Sequence, residues 1–429
     1  MKRLLALLMA LSLVAGGCSA SPDGGSVVVL ASWTGAEADA FRQVLDAFKA
    51  DTGVGYLYQG TRAVDQVLAS DVQRGTPPDV AVLPNAGVLA KYQKTGDLLP
   101  LGDDLSATMA GSFSPQWVTL QKIGTQQLYA VAVKADLKSV IWYNPAQLTG
   151  VRPTSFEGLR AFSAGLTAAG ATPWCVGMGA PPTSGWPGTD WIEDILLHSA
   201  GPEKYWQWAS GGLRWTSPEI KQAWLDWGAL VDPAGIRGGT AAALLTDFGD
   251  AGKPMFAARP GCVLEHQASF IMSRYQRLKR ADGTSPRPGA DFDFLPFPGR
   301  EVSEVAADLA GMFRDTPQAR KLIRYLASEK AQRVWPSIPR ESAFSANRKL
   351  GLDVYTDQVS RKVADTLTSA PALCFDASDL MPAAMTGAFH RAVLEYLSNR
   401  DRLDTLLKQL DDVQKSIQPG EWLKIQCGQ

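Results

Sequence analysis

The N-terminal part of the chain alternates short apolar runs with segments of helical periodicity. Apolar runs cover residues 27–30, 54–58 and 79–83, and apolar side chains recur at helical spacing over 41–48 and 64–68. A strand–helix–strand–helix–strand order requires crossover connections, which join parallel strands. The sequence therefore predicts an α/β fold with a mainly parallel sheet, whose ligand binds beyond the carboxyl ends of the strands.

Aromatic and polar residues follow two of these predicted strands. Trp33 and Thr34 come after the first strand, with Glu37 three positions beyond Thr34, as in a capping box at the start of a helix. Asn85 follows the third strand. We predict that Trp33 contacts a ligand from its loop, whereas Glu37 is open to two interpretations, a helix cap or a ligand contact.

The middle of the chain is rich in tryptophan. Strand-like segments cover residues 129–144, and nine of the thirteen tryptophans lie between Trp142 and Trp227. A tryptophan ring is costly to leave exposed, and a ligand with a flat, partly apolar face would suit it. The five tryptophans of residues 206–227 are interpreted mainly as packing residues. The C-terminal part of the chain is predicted to be mostly helical.

The N-terminus is typical of an exported protein. Two basic residues precede an apolar run over residues 4–15, which is too short to span a bilayer, and small residues then precede Cys18. This arrangement resembles the cleavage site of bacterial lipoproteins, in which the cysteine is acylated. We therefore predict a signal peptide over 1–17, lipidation of Cys18 and a flexible tether over 18–25, with simple secretion as the alternative.

The remaining cysteines are consistent with export. Cys175, Cys262, Cys374 and Cys427 make an even number in an oxidising compartment, and four cysteines allow three pairings. We favour Cys175 with Cys262, which lie beside the same group of motifs, and Cys374 with Cys427, which share the C-terminal segment. Four free thiols are the alternative.

Composition and motifs argue against several classes of function. The 429 residues include 42 basic and 43 acidic side chains, so the chain lacks the positive charge of a nucleic-acid-binding protein. It contains no G-x-S-x-G, P-loop or H-E-x-x-H motif and only three histidines. We predict a protein that is not an enzyme and has no cofactor or metal. A glycosidase needs just two carboxylates, and Asp190, Glu193 and Asp194 keep that alternative open.

The order of these sequence segments resembles that of a known family, the extracellular solute-binding proteins of ABC sugar importers. Within this family, the resemblance is to the α-glucoside-binding branch. The resemblance runs from Val27 to about residue 400. The blocks that carry it are SWTGAEADAF (32–41), TPPDVAVLPNAG (76–87), LKSVIWYNP (137–145), GWPGTDWIED (185–194), PGCVLEHQASFI (260–271) and CFDASDLMP (374–382).

The resemblance implies a two-lobed fold of the type II periplasmic-binding-protein kind, in which each lobe is a mainly parallel sheet flanked by helices. By analogy the chain crosses between the lobes near Val133, Leu295 and Trp335. The implied lobes are 26–133 plus 297–334, and 134–296 plus 335–429. A hinge would let the lobes close over a ligand.

A sugar explains the residue types of the block GWPGTDWIED. A pyranose ring has an apolar C–H face and a belt of hydroxyl groups, so its site needs aromatic rings and polar side chains that form several hydrogen bonds. Trp186 and Trp191 offer rings, and Asp190 offers a carboxylate. Residues 187–188 indicate a turn before a helix, with Thr189 or Asp190 as its cap. Two core tryptophans and a capping aspartate are the alternative.

Further site residues follow from the resemblance or from their chemistry. The resemblance implies ligand contacts for Asp79, Lys138, His266 and Gln267, although Asp79 and His266 alone would be interpreted as structural residues. Arg340, in a loop rich in proline and serine, has a planar group that suits hydroxyl recognition, or is simply solvated.

The implied partners are a small sugar and the separate permease subunits of an ABC importer. The expected ligand is an α-linked glucoside or oligosaccharide, and the alternative is a non-sugar solute such as a polyol or a peptide. We expect a monomer that is held by its lipid at the outer face of the cell membrane.

Overall fold

The computed structural model describes residues 25–148, 150 and 152–428. The predicted signal peptide, Cys18 and nearly all of the tether lie outside them. Within this part the chain forms the strands β1 Ser26–Ala31, β2 Gly55–Gly60, β3 Val80–Leu83, β4 Ala130–Leu137, β5 Val140–Tyr143, β6 Leu264–His266, β7 Asp293–Pro296, β8 Ser303–Met312 and β9 Leu373–Phe375.

Helices connect and cover these strands. They are α1 Gly35–Thr52, α2 Val64–Gln73, α3 Ala86–Thr95, α4 Asp103–Ala110, α5 Pro115–Gln121, α6 Phe156–Ala168, α7 Trp186–Ala200, α8 Pro202–Ala209, α9 Pro218–Leu230, α10 Gly239–Leu245, α11 Ile271–Arg277, α12 Pro317–Leu326, α13 Glu329–Val334, α14 Gln358–Ser369, α15 Ala377–Leu380, α16 Ala383–Ser398 and α17 Leu403–Ser416. None of the helices in the described ranges is long and apolar enough to cross a membrane.

The first sheet confirms the alternation found in the sequence. Its strand order is β2-β1-β3-β8-β4, with β9 paired to β8. β1 runs parallel to β2 and β3, and β9 runs parallel to β8, whereas β8 is antiparallel to β3 and β4. The late strand β8 thus returns between two early strands, so the sheet is built from distant parts of the chain.

The second sheet differs from the prediction. Its order is β6-β5-β7, and both pairings are antiparallel. A mainly parallel sheet was expected in each lobe, and for these strands that detail is wrong. The central strand β5 is buried at all four positions. A short run of apolar residues indicates burial on both faces, but it does not indicate the direction of the neighbouring strands.

Two apolar cores give the molecule its two-lobed type II architecture. The first surrounds the six-stranded sheet, and the second lies around β5 and the helices α7, α9 and α16. Four of the five tryptophans of residues 206–227 are buried in the second core, namely Trp208, Trp215, Trp224 and Trp227, while Trp206 is partly exposed. Trp335 and Val363 pack in the first core. The lobe limits inferred from the sequence stay a prediction.

Both favoured disulfides are confirmed. Cys175 is bonded to Cys262 with a Cα–Cα distance of 5.4 Å, and Cys374 to Cys427 with 4.4 Å. The second bond joins the end strand β9 to the C-terminal segment.

Two helix starts differ from the sequence prediction. Thr34 is the N-cap residue of α1, but its side chain makes no capping hydrogen bond, so the capping box is wrong. Helix α7 begins at Trp186, after Gly185 with φ 107°, and therefore includes the residues 187–188 that were predicted as a turn. Proline is tolerated there because the first helical N–H groups have no partner within the helix.

Candidate functional site

One group of charged residues lies at the carboxyl end of β1 and on β4. Glu37, in the first turn of α1, accepts a hydrogen bond from Arg62 at 3.0 Å, and its carboxylate lies 3.7 Å from Nζ of Lys134. Lys134 also pairs with Asp136 at 3.3 Å. Burial raises the pKa of Glu37, but Lys134 and Arg62 outweigh it and hold that pKa below its ordinary value. Glu37 is therefore a charged acceptor rather than a helix cap.

A second group of charges lies at the start of α7. Nζ of Lys138 is 3.0 Å from Oδ1 of Asp190 and also forms an ion pair with Asp376. All three side chains are buried. Burial raises the pKa of Asp190 to about 6, against the opposite effect of Lys138. The second oxygen of Asp190, Oδ2, has no hydrogen-bond partner among the described residues, so it is an acceptor with unused capacity.

Aromatic rings connect the two charged groups. The ring of Trp186 is partly exposed and lies 5.0 Å from Phe248 and 6.0 Å from Phe270, measured between ring centroids. Nζ of Lys138 is 5.7 Å from the centroid of Trp186, and Nζ of Lys134 is 5.5 Å from that of Phe270. We call the set Glu37, Lys134, Lys138, Trp186, Asp190 and Phe270 the candidate site.

The candidate site draws on both cores. α1 and β4 belong to the first core, whereas α7 packs in the second. The site offers aromatic faces beside ammonium donors and carboxylate acceptors, which suits a neutral solute that has an apolar face and several hydroxyl groups. The ion pairs hold these groups in position before a ligand arrives.

Two predicted rings lie in the cores. Trp33 is 2% exposed, with centroids 4.7 Å from both Phe41 and Trp335. Trp191 is also 2% exposed and lies against Trp174 at 4.7 Å. Both rings therefore pack inside the protein, and that of Trp191 also lies 4.5 Å from the buried imidazole of His266.

His266 and Gln267 are engaged inside the protein. Nε2 of His266 lies 2.6 Å from Oδ2 of Asp194, and Oε1 of Gln267 accepts the N–H of Ala268 at 3.0 Å. Burial raises the pKa of Asp194, but the neighbouring imidazoles of His198 and His266 lower it to about 2. The structure brings His266 to a buried carboxylate rather than into the candidate site.

The other predicted site residues are spread over the molecule. Asp79 precedes β3 and accepts the N–H of Val28 at 2.8 Å. It therefore lies at the amino end of β3, whereas Asn85 follows the carboxyl end. Asn85 caps α3 and donates to the carbonyl of Ser378 at 3.4 Å. Thr34 lies beside the candidate site at the start of α1, whereas Arg340 is exposed, with φ 65°.

Sequence reasoning missed several residues of the region. Lys134, Phe248, Phe270 and Asp376 were not predicted as site residues. Phe270 and Asp376 lie within the blocks 260–271 and 374–382, which carry the family resemblance. Those blocks could therefore have identified both residues as candidates. Phe248 comes from the turn after α10, for which the sequence pattern gave no indication.

Two surface cavities lie elsewhere, against the second core. One, of about 680 Å³, is lined by α6 and α9 residues that include Arg160 and Leu230. The other, of about 590 Å³, is lined by Trp206, Arg214 and Trp422 among others. Neither contains a residue of the candidate site, which we select by its chemistry instead of by volume.

Comparisons with known proteins agree with this architecture. The family model described as bacterial extracellular solute-binding protein matches residues 33–333. The alpha-glucosides-binding periplasmic protein AglE of Rhizobium meliloti is 32% identical over 89% of this chain and 85% of that protein. The osmoprotective compounds-binding protein GgtB of Synechocystis is also 32% identical, over 94% of this chain and 96% of that protein. Among solved structures, the bacterial solute receptor AcbH, described with a preference for β-D-galactopyranose, superposes with a TM-score of 0.77 at 18% identity over 92% of this chain and 99% of that one.

Proposed function

The chain belongs to the family of bacterial extracellular solute-binding proteins, and we propose that its solute is a small carbohydrate, an α-linked glucoside or short oligosaccharide, bound at the candidate site between the lobes. The observation that carries the proposal is the position of Trp186. Its partly exposed ring lies beside the Lys138–Asp190 ion pair, whose Oδ2 oxygen has unused acceptor capacity. A pyranose offers both complements, a C–H face for the ring and hydroxyl groups for the carboxylate.

Binding is coupled to closure of the lobes. The solute binds to one lobe of the open form, and the second lobe then closes over it. Closure requires that the solute bind the closed form more tightly than the open form. The solute contacts Glu37 and Lys134 beside the first core, and Trp186 and Asp190 on α7. All four contacts form together only when the lobes close.

The protein hands its solute to an ABC importer made of other chains. Membership of an extracellular family supports a location outside the cytoplasm. We further propose attachment to the outer face of the membrane through acylated Cys18, and a monomeric state. The closed form is the one that docks on the permease.

The proposed role is not catalytic. Of the three carboxylates that kept a glycosidase open, Glu193 and Asp194 are fully buried. Asp194 is held by His266 and Ser139, and Glu193 accepts the N–H of Ala377. Of these three, Asp190 alone belongs to the candidate site, where it is paired with Lys138. The other carboxylate of the site, Glu37, is paired with Arg62 and Lys134.

An osmoprotective solute is the second candidate. GgtB is as similar to this chain as AglE is, and its name assigns it osmoprotective compounds. The donors and acceptors of the candidate site suit any solute rich in hydroxyl groups, including a polyol.

A thermal-shift screen followed by calorimetry distinguishes these solutes. Purified protein is tested with α- and β-linked disaccharides, monosaccharides, polyols and short peptides, and reducing-sugar release is assayed in parallel. A solute that binds only the folded form at a hundredfold excess over its Kd adds about 2.7 kcal/mol to the free energy of unfolding. Stabilisation by α-linked disaccharides without hydrolysis supports the proposal. Stabilisation by polyols alone supports the second candidate, and no effect of any solute contradicts both.

A further inference from the structure

Three buried carboxylates converge behind the candidate site. Glu193 comes from α7, Glu304 from β8, and Asp376 follows β9. One carboxylate oxygen of each lies within 4.8 Å of the other two. The exposed fractions of these residues are 0%, 0% and 1%. The structure therefore encloses three acidic groups from three separate elements around one point.

Several of these oxygens have no hydrogen-bond partner among the described residues. Both carboxylate oxygens of Glu304 and Oε1 of Glu193 are buried and unpartnered. The other oxygen of Glu193 accepts the N–H of Ala377 at 2.8 Å, and Oδ1 of Asp376 accepts the N–H of Asp379 at 2.9 Å. A buried polar atom without a hydrogen-bond partner destabilises the fold. The unpartnered oxygens therefore indicate that an additional group binds between them.

The excess of negative charge among these buried residues also indicates an additional group. The ammonium group that reaches this region is that of Lys138, and it is already paired with Asp190 and Asp376. Four enclosed carboxylates thus share one lysine in the described part of the chain. Buried carboxylates without compensating charge are strongly destabilising, so further positive charge must accompany them, either as protons or as a metal ion.

The geometry favours a metal ion. A proton bridges two oxygens, whereas here one oxygen from each of three elements lies within 4.8 Å of the other two. Oxygens bound to one Ca²⁺ at about 2.3–2.6 Å lie at most about 5 Å apart, and the three oxygens, all within 4.8 Å of one another, satisfy that condition. Hard divalent cations prefer such carboxylate ligands, and Ca²⁺ tolerates the irregular geometry that helix and strand residues impose.

We propose that Glu193, Glu304 and Asp376 bind a structural divalent cation, Ca²⁺ in the first instance. Each of the three residues supplies one carboxylate oxygen. The ion would join α7 of the second core to the strand pair β8–β9 of the first sheet. Asp376 also contacts Lys138, so the ion would support the candidate site from behind without touching the solute. No sequence motif indicates this ion, since the three residues are far apart in the chain.

The first experiment measures metal in the intact protein. The purified chain is unfolded in urea with its disulfides intact, refolded with CaCl₂, MgCl₂ or EDTA, desalted, and analysed for bound metal and for thermal unfolding. We expect about one Ca²⁺ per chain and a midpoint several degrees higher than with EDTA. A chain without bound metal, and with the same midpoint in all three buffers, would overturn the proposal in favour of protons.

A charge-removing variant then locates the ion. Glu304→Gln keeps the shape of the side chain, and we expect it to lose bound Ca²⁺ and the Ca²⁺-dependent rise in midpoint. Glu265→Gln is the matched control, because Glu265 is equally enclosed but lies on β6 against Tyr275; it should keep both. Retention of Ca²⁺ by Glu304→Gln would show that the ion binds elsewhere. If that variant does not fold, Glu304→Asp is used, and an affinity for Ca²⁺ that falls less than tenfold contradicts the proposal.

Discussion

Lys138 and Asp190 form a buried ion pair, with 3.0 Å between Nζ and Oδ1, although 52 positions separate them in the chain. Lys138 follows β4 of the first sheet, and Asp190 lies in the first turns of α7. The pair therefore joins the start of α7 to the first sheet, and Nζ of Lys138 also lies 5.7 Å from the ring centroid of Trp186, one helical turn before Asp190.

Removing the ring of Trp186 should weaken solute binding. In Trp186→Ala we expect a loss of roughly 2 to 4 kcal/mol in binding free energy, the range for a buried aromatic anchor. Isothermal calorimetry with the solute identified in the screen measures the loss. Trp206→Ala, at a partly exposed ring outside the candidate site, serves as control and should bind normally. An unchanged affinity in folded Trp186→Ala would remove this ring from the site.

Removing the ammonium group of Lys138 should destabilise the fold. Lys138→Met leaves the carboxylates of Asp190 and Asp376 buried without their partner, which typically costs about 3 to 5 kcal/mol. Urea unfolding gives the change in the free energy of unfolding. Lys204→Met provides the comparison, since the Lys204–Glu219 pair is solvent-exposed and should be worth less than about 1 kcal/mol. Equal effects of the two substitutions would contradict a structural role of the buried pair.

Glu265 should make stability depend on pH. Burial raises its pKa from 4.5 to about 8, while a hydrogen bond from Tyr275 acts in the opposite direction. The folded protein thus holds this proton more tightly than the unfolded chain does. The resulting stabilisation is complete below pH 4.5 and is lost as the pH rises to about 8, at up to about 1.4 kcal/mol per pH unit.

Glu265→Gln isolates this contribution from those of other acids. The difference in unfolding free energy between wild type and variant, measured in urea at several pH values, should shift in favour of the variant as the pH rises from 5 to 8. A difference that stays constant with pH would show that Glu265 is ionised in the folded protein throughout this range.

Each disulfide should contribute comparable stability. The bonds close loops with sequence separations of 87 and 53, for which the chain-entropy model gives roughly 4 to 5 kcal/mol each. Replacing both cysteines of either pair by serine should lower the free energy of unfolding by about this amount. Peptide mapping without reduction checks the pairing beforehand, and a peptide that joins Cys175 to Cys374 or Cys427 would contradict it.

Local sequence patterns predicted the strands and helices well, but they predicted the packing around individual side chains less well. The runs 27–30 and 54–58 correspond to β1 and β2, and the helical spacings over 41–48 and 64–68 lie in α1 and α2. The sequence around Trp33 and Trp191 did not indicate that both residues are only 2% exposed. Whether a tryptophan faces a ligand or a core depends on neighbours from other elements, and the sequence around it does not specify them.

The sequence by itself determined the strand and helix alternation of the N-terminal part, because each of these elements depends on residues that are close together in the chain. The tertiary structure decided the antiparallel second sheet, the contact of Lys138 with both Asp190 and Asp376, and the convergence of Glu193 with Glu304. These depend on how distant elements pack, and the energy of a buried charge is set by the groups that surround it in space.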